Sequence, residues 1–172
     1  MEETVSSKLL HKGKNFSFKT DVVRLANGKE TVRDVVDHPG AVAIVAIDDG
    51  QMILIRQYRY STRSEILEIP AGTLEVDEDP YACAVRELQE ETGYAASNWS
   101  KLLSAYVAPG YSNEIIHIYV AEALTSIGAS PEEDESIKVE KYPFEKVLEM
   151  IESNEIKDSK TITGVLAYLT TS

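Results

Sequence analysis

Residues 70–94 read PAGTLEVDEDPYACAVRELQEETGY, and the reading of this stretch decides the fold. Asp79 can cap free amide groups, Pro80 suits the first helical position, and Gly93 suits the residue just past the last turn, so a helix is expected between them. Inside it, Arg86-Glu87-Leu88-Gln89-Glu90-Glu91 places three carboxylates at positions i, i+3 and i+4, which share one helix face. Like charges that close weaken a helix unless positive charge sits among them. Arg86 can pair with Glu90 one turn on, but one guanidinium does not neutralise three carboxylates. Oxygen ligands with unmet negative charge favour a hard divalent cation, Mg²⁺ or Mn²⁺. A bare ExxEE run is most often a solvated acidic face. Here further acids, Glu75, Asp77 and Glu78, precede the helix on a short loop that follows the irregular turn Pro70-Ala71-Gly72. The helix dipole accounts for acids at the N-terminal end but not for those at the far end.

Outward from this helix the chain alternates β-rich runs with turn signals. Residues 17–25 and 29–36 flank Asn27-Gly28, a dipeptide suited to a tight hairpin, and residues 41–47 and 51–58 flank Asp49-Gly50 in the same way. The second hairpin, AVAIVAI and QMILIRQY, is apolar enough to form the centre of a sheet. Further strands are expected at residues 65–69, 101–107, 114–121 and 137–142, and helices at 143–151 and 160–169. This pattern predicts an α/β or α+β fold, with a mixed sheet covered by helices. The first hairpin carries few large apolar residues. It is expected as an N-terminal β extension over residues 1–38, packed on the main domain (residues 39–172) or on a second subunit.

Composition narrows the function classes. The 172 residues include 29 acidic and 17 basic side chains, a net charge of −12, which disfavours coating of DNA or RNA. Cys83 is the single cysteine, so no intramolecular disulfide or cysteine-based zinc site is available. No apolar run reaches the ~18 residues that span a bilayer, and the start MEETVSSK is polar, so no membrane partner and a cytoplasmic location are expected.

Gly72, five residues, Glu78, seven residues, then Arg86-Glu87-Leu88-Gln89-Glu90-Glu91-Thr92-Gly93-Tyr94 resembles the Nudix box, G-x5-E-x7-R-E-U-x-E-E-x-G-U with U apolar. Every fixed position is met, with Tyr94 a slightly polar choice at the last. The resemblance implies the Nudix fold, a mixed β-sheet sandwiched between helices, and metal-dependent hydrolysis of nucleoside diphosphates linked to a second moiety. It further implies Glu87 and Glu91 as main metal ligands, with Glu90 assisting and the Ala71 carbonyl as another ligand. Arg86 would hold the carboxylates in place, and Glu78 would act from behind them. Gly72 would permit a sharp turn and Gly93 the helix exit.

Outside the box, Pro109 in Pro109-Gly110-Tyr111-Ser112-Asn113-Glu114, the Gln57-Tyr58-Arg59 segment and Arg33 in VRDVVDHPGAV are similar to the ADP-ribose pyrophosphatase branch of the family. That similarity runs from about Arg33 to Val139. By it, Arg33 and Arg59 would contact the nucleotide, with Arg33 reaching from a partner subunit of a homodimer, and Glu114 would reach a ribose hydroxyl near Pro109. An acidic loop, Glu132-Glu133-Asp134-Glu135, would supply the catalytic base at Glu133 and a further metal ligand at Glu135. The expected reaction is cleavage of ADP-ribose to AMP and ribose 5-phosphate. The alternatives are another linked nucleoside diphosphate, such as a nucleotide sugar or dinucleoside polyphosphate, or a non-catalytic nucleotide-sensing module. Cys83, His117 and His38 read as structural: a helix packing residue, a sheet-face residue and a turn residue. Residues 75–91 and 132–135 together carry ten of the twelve net negative charges. The acid surplus is thus mostly the charge of the expected metal site.

Overall fold

The computed structural model describes residues 1–128 and 136–171. The chain forms two compact units, residues 1–40 with 105–115, and residues 41–104 with 116–172.

The first unit is built on a three-stranded antiparallel sheet in the order β1 (Glu3–Lys12), β2 (Ser17–Arg24), β3 (Glu30–Asp37). The β2–β3 hairpin turns at Asn27-Gly28 as expected, with Gly28 at φ 82° and Asn27 Oδ1 accepting from the Lys29 amide at 3.1 Å. The preceding strand β1 is an addition to the expected hairpin. All ten of its residues are exposed, so it lacks the buried–exposed alternation that marks a strand in sequence. Its signal is the turn at residues 13–16, closed by the Gly13 amide donating to the Phe16 carbonyl at 2.9 Å. Residues 108–113 join this unit through the Val36 amide, which donates to the Tyr111 carbonyl at 2.8 Å.

The second unit holds a mixed sheet in the order β10 (Ile137–Pro143), β5 (Gln51–Arg59), β4 (Ala41–Asp48), β9 (Ile115–Ser126), β8 (Tyr94–Tyr106). Short strands β6 (Ser64–Glu68) and β7 (Ala71–Thr73) pair with β5 and β4. Strand β4 is antiparallel to β5 and β7 but parallel to β9, which makes the sheet mixed. Its first six residues are buried because both of its faces are covered. Val42, Ile44 and Ala46 pack with Cys83, Ala84 and Leu88 of helix α1 (Pro80–Thr92). Val45, on the opposite face, meets helix α3 (Ser159–Leu169) at Gly164, where an added Cβ would lie 3.1 Å from Val45 Cγ2 and 3.1 Å from Ile69 Cδ1. Helix α2 (Phe144–Glu152) packs on β10 and β5. The sheet is therefore sandwiched between helices, as the sequence predicts.

Three parts of the sheet differ clearly from expectation, the first being β9, which runs to Ser126, five residues past its expected end at 121. Strand β8 begins directly after Gly93 rather than at residue 101, because Tyr94, Ala96 and Trp99 pack against the α1 cluster although no apolar run marks them. Pro70-Ala71-Gly72 is expected as an irregular turn, but Ala71–Thr73 forms β7 against β4, with Ala71 opposite Ala43 and Gly72 opposite Val42. Among the described residues no helix is long and apolar enough to cross a membrane.

Candidate active site

Helix α1 sets the site, and its ends are capped as the sequence reads. Asp79 Oδ1 accepts from the amides of Tyr81 at 3.0 Å and Ala82 at 3.1 Å, and Pro80 follows at the first position. Gly93 closes the helix at φ 72°, its amide donating to the Gln89 carbonyl at 2.9 Å. The small side chains of Cys83 and Ala84 with Leu88 form the face against β4, and Glu91 and Thr92 continue that face. This burial fixes the rotation of the helix and so fixes where Glu87, Glu90 and Glu91 stand.

Arg86 organises the carboxylates. Its Nε and Nη2 donate to Glu78 Oε1 and Oε2 at 3.1 and 3.2 Å, while Nη1 lies 2.8 Å from Glu87 Oε1 and 2.9 Å from Glu90 Oε2. Glu78 Oε2 also accepts from the Glu75 amide at 2.9 Å, which pins the loop before the helix. Asp77 takes φ 62° within that loop, a left-handed conformation that Asp tolerates better than most residues. The Arg86 hydrogen bond holds the Glu78 carboxyl below the usual carboxylate range, with the Glu75 amide acting in the same direction.

Glu91 is 4% exposed, and its Oε2 accepts from the Ala71 amide at 2.9 Å. Gly72 makes room for Glu87: a Cβ at residue 72 would lie 1.9 Å from the Glu87 carboxyl carbon and 1.9 Å from Oε1. The glycine expected at a sharp turn therefore sits in a strand, and its missing side chain serves the approach of Glu87 to the backbone.

The residues bear on a metal as follows. Among the described residues no three His, Cys, Asp or Glu side chains are gathered closely enough to hold an ion. Arg86 draws Glu87 and Glu90, and Glu91 turns to the Ala71 amide. The chemistry of the donor set nevertheless fits a hard divalent cation. Glu87, Glu90, Glu91 and the Ala71 carbonyl are all oxygen donors, and three carboxylates, Glu78, Glu87 and Glu90, face one guanidinium while Glu91 is buried beside them on the same helix.

The remaining expected residues have definite partners. Arg59 is tied to Glu68 through Nε at 2.6 Å and Nη2 at 2.8 Å, and Glu68 is 1% exposed. Lys160 at the start of α3 also bonds Glu68 Oε2 and lies 3.1 Å from Asp158 Oδ2. Nothing in the linear pattern marks Glu68 or Lys160, which are 92 residues apart.

In the first unit, Arg33 and Pro109 line one cleft together with Glu2, Asp34, Tyr111 and Asn113. Arg33 donates to both oxygens of Glu2, at 3.1 and 2.7 Å, in an exposed pair. Glu114 Oε1 lies 3.9 Å from His38 Nδ1, which accepts from the Gly40 amide at 3.1 Å, so His38 has the turn role read from sequence. Cys83 is buried in the helix packing, and His117 bonds Ser104 at 2.7 Å on the sheet. Glu133 and Glu135 lie outside the described residues.

The model of the NUDIX domain matches residues 37–163. An ADP-ribose pyrophosphatase of Bacillus subtilis (strain 168) is 40% identical over 95% of this chain and 90% of its own length. A methanol dehydrogenase activator of Bacillus methanolicus is 39% identical over 95% and 90%. An ADP-ribose pyrophosphatase of Mycobacterium tuberculosis (strain ATCC 25618 / H37Rv) is 41% identical over 96% and 82%. A crystal structure of an ADP compounds hydrolase, 24% identical, shares the fold with a TM-score of 0.87 over 98% of this chain and 92% of that one. With the carboxylate-bearing helix in place and the family model spanning most of its length, the chain belongs to the NUDIX domain family.

Proposed function

We propose that this chain hydrolyses ADP-ribose to AMP and ribose 5-phosphate with the help of a divalent metal ion, Mg²⁺ or Mn²⁺. The observation that carries the reading is the carboxylate group of α1. Glu87 and Glu90 are held by Arg86, Glu91 is set against the Ala71 amide, and Gly72 opens the space that Glu87 fills. The two relatives named ADP-ribose pyrophosphatase support the choice of substrate, since each matches nearly the whole chain at about 40% identity.

Glu87, Glu90, Glu91 and the Ala71 carbonyl would hold the ion. When bound it would offset the diphosphate charge and lower the pKa of a water. Arg86 keeps three carboxylates in one arrangement, so their mutual repulsion does not scatter them. Glu133 would take the proton from the attacking water, and Glu135 would add a metal ligand. Arg59 would offer its guanidinium to a phosphate oxygen, and Arg33 with Glu114 and Pro109 would contact the nucleotide. The exposed Arg33–Glu2 pair costs little to exchange for a substrate phosphate.

The same reading includes a homodimer in the cytoplasm, formed through an N-terminal extension (residues 1–38) that precedes the catalytic domain (residues 39–172). Strand β1, exposed throughout and carrying Val5, Leu9 and Leu10, supports a subunit contact. Sedimentation that shows monomer alone would remove the dimer.

A panel of ADP-ribose, nucleotide sugars, dinucleoside polyphosphates and NADH, assayed with and without Mg²⁺, tests the function by release of AMP. ADP-ribose should give the highest kcat/KM, and EDTA should abolish turnover. Preference for a nucleotide sugar would move the assignment to another diphosphate. Binding without turnover would favour a regulatory module, a reading that the relative named as a methanol dehydrogenase activator keeps in view.

A further inference from the structure

The buried ionic cluster behind Arg59 is assigned by neither the box nor the expected substrate contacts. Glu68 at the end of β6 is 1% exposed, and a carboxylate so buried is costly unless fully paired. It has two cationic partners. Arg59 approaches side-on through Nε and Nη2, which leaves Nη1 outside that pair, and Lys160 bonds Oε2 from the first turn of α3.

Exposure of the side chains rises outward, from 1% at Glu68 through 15% at Lys160 to 37% at Arg59. Arg59 is thus the member of the cluster that meets solvent. It also feels the charge of Glu91, which places it within electrostatic reach of the box.

Pairing Glu68 gives Lys160 a part in stability, but its place in the helix is not one that helix stability favours. A cation in the first turn of a helix opposes the helix dipole, where acids are favoured. An apolar set of similar volume would in general be as stable as a buried ion group. Asp158, 3.1 Å from Lys160, is already committed to capping α3, since its Oδ2 accepts from the Thr161 amide at 2.9 Å and from the Thr161 hydroxyl at 2.6 Å. Those donors are neutral and leave Asp158 its charge, so Lys160 stands between two carboxylates, Asp158 and Glu68.

We propose that Lys160 is a positioning residue for Arg59: by offsetting the carboxylate charge of Glu68 and Asp158 it leaves the Arg59 guanidinium fixed in place and open to a phosphate oxygen of the substrate. The proposal rests on the diphosphate-hydrolase reading above. With Lys160 absent, Arg59 is the one cation of this cluster against Glu68 and Asp158, and its attraction for a phosphate is outweighed by the carboxylates behind it. Burial pushes the Glu68 carboxyl up, but Arg59 and Lys160 outweigh it and keep the group below its usual range, in keeping with a shared, ionised carboxylate.

The test compares Lys160→Met, Lys160→Gln and Lys160→Arg with the wild type in steady-state kinetics and thermal unfolding. Loss of the charge should raise KM for ADP-ribose about tenfold with kcat changed less than threefold, and Lys160→Arg should bring KM back to near wild type. A purely structural role would lower the unfolding midpoint and the active fraction while KM stayed put, and that result overturns the proposal. Failure of both neutral variants to fold overturns it as well, since it would make Lys160 a stability residue. Failure of the substrate reading is visible separately, as absence of ADP-ribose turnover in the wild type. In that case the same KM comparison is made on whichever diphosphate the wild type cleaves.

Discussion

Gly72→Ala separates stability from catalysis in this protein. The new Cβ would stand 1.9 Å from Glu87 Oε1 and 1.9 Å from its carboxyl carbon, whereas a Cβ in a folded protein essentially never comes within 3.0 Å of another heavy atom in this way. The carboxylate must therefore retreat by about 1 Å or more. The obstacle is the end of a flexible side chain rather than backbone, and Gly72 lies in a β-strand outside the positive-φ region, so the fold can absorb the change. Removing a glycine from the unfolded chain gains roughly 0.4–1 kcal/mol, which offsets the loss of the Glu87–Arg86 pair. Stability should stay within about 1 kcal/mol of wild type. Activity should not, because displacement of a reacting group by about 1 Å costs on the order of 10²-fold, about 2.7 kcal/mol in the barrier. The assay is kcat at saturating Mg²⁺, with calorimetric titration of Mn²⁺ and thermal unfolding on the same samples. A folded Gly72→Ala enzyme with kcat within threefold of wild type would refute the placement of Glu87 as a metal ligand.

Three other outcomes are expected. Glu133→Gln should lose most turnover while still binding metal and ADP-ribose, and near-normal kcat would shift the base to Glu135 or elsewhere. The Arg56 guanidinium, with the Tyr142 hydroxyl, lowers the Glu140 carboxyl to about 2. A carboxyl depressed on folding contributes stability above its unfolded pKa of about 4.5 and loses it as pH falls through about 2. Denaturant unfolding should show a loss of roughly 1–3 kcal/mol over that range, and Glu140→Gln should remove much of this slope. Burial, then the neighbouring Glu78, pushes the Cys83 thiol up to about 12. A thiol reagent at about pH 8 should therefore modify Cys83 only after denaturation, and rapid labelling of native protein would contradict its buried, protonated state.

What was legible in the chain is what local chemistry controls. The caps of α1, the face that carries Glu87, Glu90 and Glu91, the apolar strands β4 and β5, and the Arg86–Glu90 pair all follow from neighbours within one or two turns. The Asn27-Gly28 and Asp49-Gly50 turns follow from residues that tolerate positive φ. Strand β1 was not legible because exposure on all ten residues removes the alternation on which a strand reading depends. The start of β8 was hidden for a related reason, since Tyr94, Ala96 and Trp99 are drawn into the strand by the α1 cluster rather than by their own pattern.

The sequence by itself determined the helix, its carboxylates and the family to which they belong, because spacing along one helix already implies spacing in space. Only the tertiary structure decided what Gly72 is for, since the need for an absent side chain arises where β7 passes under Glu87. It also decided that Glu68 would be buried between Arg59 and Lys160. Charges 92 residues apart in the chain have no local signature, and they meet because the sheet and α3 bury a carboxylate that requires counter-ions.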